Sequence, residues 1–255
     1  MRKALIPAAF VAAAALAVVG SAGATRHAGT FKYCTDPTFP PMELAGTSGK
    51  ISGFDVDMAQ KLSLTWGANA TPVKTAFPGL IPALNAKRCD AVISGIFISP
   101  DRTKQAGAVA YMHSHRVFIV AEGNPKQITS PNSLKGKNVA VQGGTKYEDY
   151  LKALKAKIGF NLQSYPGDTD AVAQVLLGRA DAVLTQDTSF AFQAGKHPGK
   201  LAVGYTFAGS DAFGIYFRKG DPVGKQIDDG IRVLRATGKL KALATKYKIP
   251  VQDVK

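Results

Sequence analysis

Cysteine and acidic residues are scarce in this chain of 255 residues. Two cysteines are too few for a disulfide scaffold, and 18 acidic residues against 32 lysines and arginines give a formal net charge of +14. The sequence has no G-x-S-x-G elbow, and His113 and His115 form an isolated H-x-H pair without a third metal ligand at a telling spacing. The 45% hydrophobic content, by contrast, is typical of a globular protein.

The N-terminus has the pattern of a secretory signal peptide. Arg2 and Lys3 precede an uncharged run over residues 4–20, which is followed by small residues up to Ala24. The run is shorter than the ~20 residues that a membrane span needs. We therefore predict export with cleavage after Ala24, which removes two positive charges and leaves a mature chain that is still strongly basic.

The positive charge is spread along the chain. Short clusters, such as Lys135 with Lys137 and the group Lys152, Lys155 and Lys157, carry no interleaved aromatic residues. We interpret them as solvated faces, and an exported protein meets no chromosome, so we expect no nucleic-acid partner. A basic field still favours an anionic ligand or an acidic membrane partner.

Short apolar runs alternate with amphipathic segments, which predicts an α/β fold with mostly parallel sheets. The series is interrupted near Gly123 and restarts at residue 138. We predict two lobes around a ligand cleft, with residues 25–121 and 213–255 in lobe I and residues 122–212 in lobe II. The predicted strands cover residues 31–35, 73–76, 91–94, 138–142, 162–165, 182–185, 201–205 and 212–218, and the predicted helices cover residues 55–66, 79–86, 145–157, 168–178 and two segments within 221–247.

Three segments of lobe I are candidates for the cleft wall. The proline-stiffened loop of residues 35–43 carries Phe39, which either covers a ligand or packs against its own lobe. Phe77 precedes a helix and faces either the cleft or the core. Arg102 follows the 91–94 strand at a helix start, where a guanidinium can hold a carboxylate through two parallel hydrogen bonds; the alternative is an ordinary surface arginine.

Lobe II offers two further segments. In Gln142-Gly143-Gly144-Thr145-Lys146 a strand leads through two glycines into a helix, whose first N–H groups and dipole favour an anion. Asp187 follows the strand at 182–185 and either pairs with a cation of the ligand or caps the next helix. The first of these segments is therefore a candidate anion site at the cleft.

In this order and spacing, the segments resemble the polar-amino-acid family of bacterial periplasmic solute-binding proteins, the receptors of ABC importers. The resemblance covers nearly the whole mature chain. The supporting segments are residues 36–42, Gly53-Phe54-Asp55-Val56-Asp57, residues 79–84, residues 93–102, residues 142–145, residues 178–182 and Gly238-Lys239-Leu240.

The resemblance implies a type II periplasmic binding protein fold that closes on a small carboxylate-bearing solute, a periplasmic location, a membrane permease as partner, a monomer, and neither cofactor nor metal. Arg102 then matches the arginine that holds the ligand carboxylate, the Thr145-Lys146 turn shares it, and Phe39 and Phe77 flank the ligand. The expected ligand-binding residues are Asp36, Phe39, Phe77, Gly95, Phe97, Arg102, Gln142, Thr145, Lys146, Gln186 and Asp187.

Two positions depart from the family pattern. Phe97 stands where a small hydroxyl residue is usual, and Gln186 stands where the ammonium-binding aspartate is usual. An amide does not neutralise an ammonium. Either Asp187 replaces the aspartate or the ligand lacks a free α-amine, and an amino acid or a derivative is the leading expectation.

A second hypothesis is an enzyme on the same scaffold, similar to the cyclohexadienyl (prephenate/arogenate) dehydratases, which eliminate water and carbon dioxide. This reaction needs a positioned acid or base in the cleft. The available candidates are Asp36, Glu43, His113 and Asp187, none at a telling spacing. Product formation from prephenate or arogenate distinguishes the enzyme from the receptor.

The two cysteines fall near predicted strands of lobe I. Cys34 ends one strand and Cys89 precedes another, so neighbouring strands can bring them together. Export makes oxidation possible. The alternative is an offset in register that holds the two Cα atoms beyond the ~7 Å limit of a disulfide.

Overall fold

The computed structural model describes residues 29–254 together with Met1, so the rest of the predicted signal peptide and its cleavage site lie outside the described residues. The strands are β1 (Gly29–Thr35), β2 (Thr38–Phe39), β3 (Glu43–Ala45), β4 (Ile51–Ser52), β5 (Ala68–Lys74), β6 (Ala91–Val92), β7 (Gly107–Ser114), β8 (Arg116–Ala121), β9 (Asn138–Gln142), β10 (Asn161–Tyr165), β11 (Ala182–Gln186), β12 (Leu201–Thr206) and β13 (Asp211–Phe217). The α-helices are α1 (Phe54–Leu64), α2 (Leu80–Asn85), α3 (Pro100–Gln105), α4 (Lys146–Ile158), α5 (Asp168–Leu176), α6 (Asp187–Lys196), α7 (Val223–Ala236) and α8 (Lys239–Lys246).

Two five-stranded sheets form the two lobes. The strand order is β5-β1-β6-β13-β7 in lobe I and β10-β9-β11-β8-β12 in lobe II. Within each sheet four strands point the same way, and only β13 or β8 runs against its neighbours. The structure thus confirms the predicted two-lobed α/β fold with mostly parallel sheets flanked by helices.

The predicted lobe boundaries need correction. The chain passes from β7 in lobe I to β8 in lobe II at His115, because β8 pairs antiparallel with β11 and β12. Residues 116–121 therefore belong to lobe II, whereas the sequence prediction gave them to lobe I. The return crossing lies at residues 207–210, before β13. The sequence of an apolar strand does not predict which sheet the strand joins, because its pairing partners are distant in the sequence.

Two other parts of the fold have no counterpart in the sequence prediction. Neither β7 nor β8 was predicted as a strand, although together they carry the first crossing. The loop after β1 contains β2, which pairs with β3, and β3 pairs with β4 in a small antiparallel sheet. This sheet fixes the segment that carries Phe39.

Helix α1 shows how the apolar spacing becomes a core. Met58 and Leu62 are fully buried, and Trp66 packs against the same cluster, as their spacing of four predicts. The helices α7 and α8 return to lobe I and bury Ile231 and Leu240 in that cluster. Among the described residues, no helix combines the length and the apolar character that a membrane crossing requires.

A disulfide joins Cys34 to Cys89 inside lobe I. Cys34 lies on β1, and Cys89 lies just before the neighbouring strand β6, with the two Cα atoms 5.7 Å apart. Both cysteines are buried in a cluster that contains Leu80 and Leu84 of α2. The bond therefore ties β1 to the chain entering β6, the two strands that lead into the cleft.

Candidate functional site

A cavity of about 30 Å³ lies between the lobes, at the ends of β1, β6, β9 and β11. Phe39, Phe77 and Arg102 come from lobe I and Gln142, Thr145 and Gln186 from lobe II, so the structure brings distant segments together. All the predicted ligand residues except Asp36 and Asp187 line the cavity. The lining residues are Phe39, Phe77, Gly95, Phe97, Arg102, Gln142, Thr145, Lys146, Tyr147, Asp168, Leu184, Thr185 and Gln186.

Arg102 presents a buried guanidinium to this cavity. It lies in the first turn of α3, with only 9% of its surface exposed, and its Nη1 atom donates to the carbonyl oxygen of Phe97 at 3.0 Å. The guanidinium carbon lies 5.6 Å from the ring centre of Phe77 and 5.9 Å from that of Phe97. No carboxylate among the described residues pairs with Arg102. Its remaining N–H donors are therefore available to an anion.

Aromatic rings form the lobe I wall. Phe97 stacks against Phe213 in its own lobe and lies 5.1 Å from the ring of Tyr147 in lobe II. Phe39 packs directly over Gly95, where an added Cβ would come within 2.5 Å of the ring. Gly95 also has a φ of 46°, so glycine is required at this position both for space and for backbone conformation.

The lobe II wall is the turn from β9 into α4. Thr145 caps the helix: its Oγ1 accepts from the Glu148 N–H at 3.2 Å and donates to the Gln142 carbonyl oxygen at 2.8 Å. Lys146 turns to the side and pairs with Asp101 of lobe I at 2.7 Å. Thr145, Lys146 and Tyr147, at the start of α4, line the cavity that Arg102 enters from the other lobe. The N–H groups of Lys146 and Tyr147 have no acceptor within the helix, because they belong to its first turn.

Asp36 lies just behind the cavity and joins the two lobes. Its Oδ2 atom accepts from the N–H of Phe77 and from Nε2 of Gln142, both at 3.0 Å. Thr169 of lobe II donates to the carbonyl oxygen of Thr38 at 2.8 Å nearby. Burial raises the pKa of Asp36 to about 6, against the hydrogen bonds that lower it.

Asp168 is a cavity residue that the sequence analysis missed. It begins α5, has 3% of its surface exposed, and accepts hydrogen bonds from Thr185 and from Ser189 at 2.5 Å. No cationic side chain among the described residues pairs with it, and burial raises its pKa to about 6. A carboxylate at a helix start after a β-strand was the available signal. In the sequence this signal predicts only the beginning of a helix.

The family follows from a comparison over nearly the whole chain. Residues 31–249 match the model described as bacterial extracellular solute-binding proteins, family 3. The chain belongs to this family. It is 32% identical over 225 residues to the L-cystine-binding protein TcyJ of Escherichia coli, covering 87% of this chain and 84% of that protein.

Solved structures of similar proteins have the same fold. An ancestral arginine-binding protein bound to arginine superposes with a TM-score of 0.81 at 28% identity, covering 86% of this chain and 98% of the other. An ancestral amino acid-binding protein, a precursor of cyclohexadienyl dehydratase, superposes with a TM-score of 0.79 at 29% identity, covering 86% and 95%. The cleft described above is thus the cleft of a family 3 solute-binding protein with the two-lobed type II fold.

The structure places Asp187 outside the ligand cleft of this family 3 protein, although Asp187 is one of the expected ligand-binding residues. Its carboxylate accepts from Ser114 Oγ at 2.6 Å and lies 3.1 Å from Nδ1 of His115, at the crossing between the lobes. It lines a different inter-lobe cavity, of about 620 Å³, next to α8 and Lys248. The start of α6 sends neighbouring residues to opposite sides, so Gln186 faces the ligand cleft and Asp187 does not.

Gln186 itself is buried with its Oε1 atom lacking a hydrogen-bond partner, and so is the hydroxyl of Tyr147. Both residues line the ligand cleft beside Asp168. A buried polar atom without a partner is costly in free energy. The Tyr147 hydroxyl and the Gln186 side chain lie close enough to interact with each other, and this pair has hydrogen-bonding capacity for a bound solute.

The acid–base candidates of the enzyme hypothesis are scattered in this family 3 protein. Glu43 is fully buried in lobe I, His113 is exposed on β7, and Asp187 lies at the crossing. Only Asp36 is next to the cleft, where Gln142 and Phe77 already occupy its Oδ2 atom. Within the described residues, no group of three or more histidine, cysteine or acidic side chains is placed to hold a metal ion.

Proposed function

We propose that this family 3 protein is the periplasmic receptor of an ABC importer and that it binds a small solute carrying both a carboxylate and a protonated amine, as amino acids do. The observation that carries this proposal is the opposed pair of unpaired charges in one cavity. The Arg102 guanidinium has no carboxylate partner, and Asp168 has no cationic partner among the described residues.

The carboxylate of the solute binds Arg102 from lobe I and the first N–H groups of α4 from lobe II. Arg102 supplies charge-assisted hydrogen bonds, and the helix start supplies oriented donors. Because the two sets of donors belong to different lobes, one anion contacts both only when the lobes are together. Binding then favours the closed arrangement of the lobes.

The amine of the solute binds Asp168, with the Oε1 atom of Gln186 as a second acceptor. This assignment explains how the protein binds an amine although Gln186 stands in place of the usual aspartate, because Asp168 of the same lobe supplies the negative charge. Two relatives support an amino-acid ligand by their names, one for L-cystine and one for arginine. Phe39 and Phe77 flank the bound solute, as the resemblance implied.

The receptor role also depends on export and on an exchange of the solute with a membrane permease. The relatives named as periplasmic support the location, and we propose cleavage of the signal peptide after Ala24. The cavity of about 30 Å³ has little more room than a water molecule needs, so the lobes must move apart for the solute to enter, and they must lie farther apart around the bound solute than they do in this structure. We propose a receptor without catalysis, because among the described residues only Asp36 of the four acid–base candidates named for the enzyme is next to the cleft.

Isothermal titration of the mature protein tests the proposal with L-arginine, L-cystine and the other common L-amino acids, alongside organic acids that lack the amine. We expect one or more amino acids to bind and their deaminated analogues to bind at least about tenfold more weakly, which corresponds to one lost charge-assisted hydrogen bond. Equal binding of an acid without an amine would overturn the assignment of Asp168.

A matched pair of variants completes the test. Asp168→Asn removes the charge from the cleft, and Asp170→Asn makes the same change at an exposed position of the same helix. We expect only Asp168→Asn to weaken the binding of the best amino acid, by about tenfold or more. Turnover of prephenate or arogenate by the unmodified protein would instead establish the enzyme.

A further inference from the structure

Two buried carboxyl groups lie behind the cleft floor without any cation. Glu43 of β3 and Asp55 of α1 are both completely buried and are hydrogen-bonding neighbours. Neither forms an ion pair with a lysine, arginine or histidine among the described residues. Two ionised carboxylates in contact inside a protein are strongly unfavourable, because each loses its hydration and each repels the other.

The free carboxyl oxygen atoms indicate how the two groups are arranged. Glu43 Oε1 accepts from Ser94 Oγ at 3.0 Å, and Asp55 Oδ2 accepts from Tyr111 Oη at 3.0 Å and from the Gly95 N–H at 2.7 Å. The other oxygen of each group, Glu43 Oε2 and Asp55 Oδ1, has no donor from elsewhere. One proton between these two oxygens satisfies both.

We propose that Glu43 and Asp55 share a single proton, and that this pair positions the Ser94–Gly95 turn that forms the floor of the ligand cleft. Glu43 holds the proton and donates it to Asp55, because Asp55 already accepts two hydrogen bonds that stabilise its charge. Each partner then holds one residue of the turn: Glu43 holds Ser94 and Asp55 holds Gly95.

The turn is directly connected to the cleft. Gly95 lies under the Phe39 ring and lines the cavity. Ser94 Oγ accepts from the N–H of Asp36, the residue that binds Gln142 across the lobes. Glu43 and Asp55 contact no solute, so they act as positioning residues. The link between this positioning role and binding rests on the proposed function, in which the solute lies against the Ser94–Gly95 turn.

The surroundings of the pair make its proton sensitive to alkaline pH. Among the described residues, the titratable groups that the structure places against the pair are acidic or phenolic, and none is a cation: they are Asp36 after β1, Tyr33 of β1 and Tyr111 of β7. Burial raises the pKa of Glu43 well above its usual range. The pair is therefore stable while the proton is present, and the stability is lost as the pH rises through the raised pKa of Glu43.

Infrared spectroscopy of the ligand-free mature protein tests the shared proton directly. At pH 8 we expect the carbonyl stretch of a protonated, buried carboxyl group, which Glu43→Gln removes and the exposed control Glu122→Gln keeps. Asp36 and Asp168 do not contribute at this pH, since their pKa values are about 6. Absence of the band in the unmodified protein would overturn the proposal, even if the variant did not fold.

Thermal melting between pH 6 and pH 10 and amide exchange at Gly95 test the positioning role. Glu43→Gln keeps a donor toward Asp55 but has no proton to lose, so we expect its melting temperature to fall less at alkaline pH than that of the unmodified protein. Glu43→Ala should speed exchange of the Gly95 amide, and Glu43→Gln should restore it. If the melting temperature of Glu43→Gln falls with rising pH as much as that of the unmodified protein does, the role is refuted. It is also refuted if the Gly95 amide exchanges at the same rate in Glu43→Ala as in the unmodified protein. Since no ligand is used, a failure here is separate from a failure of the proposed function.

Discussion

Gln142 Nε2 lies 3.0 Å from Asp36 Oδ2, and this buried hydrogen bond joins the end of β9 in lobe II to the end of β1 in lobe I. The same oxygen of Asp36 accepts from the N–H of Phe77, whose ring lines the cleft. One carboxylate thus links the cleft wall of lobe I to the strand that leads into the turn between β9 and α4 of lobe II. The lobes are held together here by a few polar contacts.

Removal of this contact should favour separation of the lobes. Gln142→Leu keeps the size of the side chain but loses the donor, so we expect a larger radius of gyration for the ligand-free variant in small-angle scattering. Saturation with the best amino acid of the titration should restore the compact form at a higher ligand concentration. Gln163→Leu, an exposed change in the neighbouring strand β10, is the control. Identical scattering of Gln142→Leu and the unmodified protein would contradict this prediction.

Arg102 should be essential for tight binding of an amino acid. Both Arg102→Ala and Arg102→Lys should weaken amino-acid binding, by about tenfold to a hundredfold, because each loses the fork of parallel N–H donors. Titration calorimetry measures the loss. The exposed Arg88→Ala, at the end of the α2 region, should bind as the unmodified protein does. Unchanged affinity in Arg102→Ala would remove the anion site from this part of the cleft.

Ligand affinity should rise between pH 5 and pH 7. Burial raises the pKa of Asp168 to about 6, so a fraction of this group is protonated in the ligand-free protein near pH 5.5. Binding of an ammonium requires the carboxylate and must displace that proton. Calorimetry in buffers of different ionisation enthalpy should detect proton release at pH 5.5 in the unmodified protein and less of it in Asp168→Asn. Proton uptake on binding would contradict the assignment.

The stability of the ligand-free protein should fall as the pH rises, over the range in which the ligand affinity increases. Asp36 and Asp168 both have pKa values raised to about 6 by burial, whereas an unfolded aspartate titrates near 4. The folded state therefore binds these protons more tightly, and the stability present below pH about 4 is lost as the pH rises through about 6. Urea denaturation should show a shallower decline over this range for Asp168→Asn, while Asp170→Asn should follow the unmodified protein.

The Cys34–Cys89 disulfide should contribute to stability without contributing to the chemistry of the cleft. It closes a loop of 55 residues, and the expected loss in free energy of unfolding is about 2–4 kcal/mol when it is removed. The double variant with Cys34→Ala and Cys89→Ala should unfold at lower urea concentration. A thiol reductant should lower the stability of the unmodified protein and leave the double variant unchanged. Equal urea midpoints for the two proteins would contradict this prediction.

Local sequence signals point to part of the cleft, whereas Gly95, Phe97 and Gln186 follow only from the resemblance to the family. Arg102 at a helix start after a strand, and Thr145 after two glycines, are both recognisable because their roles depend on neighbouring backbone groups. Asp168 is a cleft residue that such local signals do not predict. At the start of a helix it reads as an ordinary first-turn carboxylate, and only the packing of α5 against β11 buries it in the cavity beside Gln186.

The residues alone determined the two α/β series and the segments that lead into the cleft, because strand and helix periodicity and capping turns depend on neighbours in the chain. The family membership follows from the same residues, taken in order. The tertiary structure decided which sheet β8 joins, that Asp187 points to the lobe crossing while Asp168 points to the cleft, and that Glu43 meets Asp55. These outcomes depend on contacts between residues that are far apart in the sequence. Only such contacts determine how strands pair, which side chains are buried and which groups each charged side chain meets.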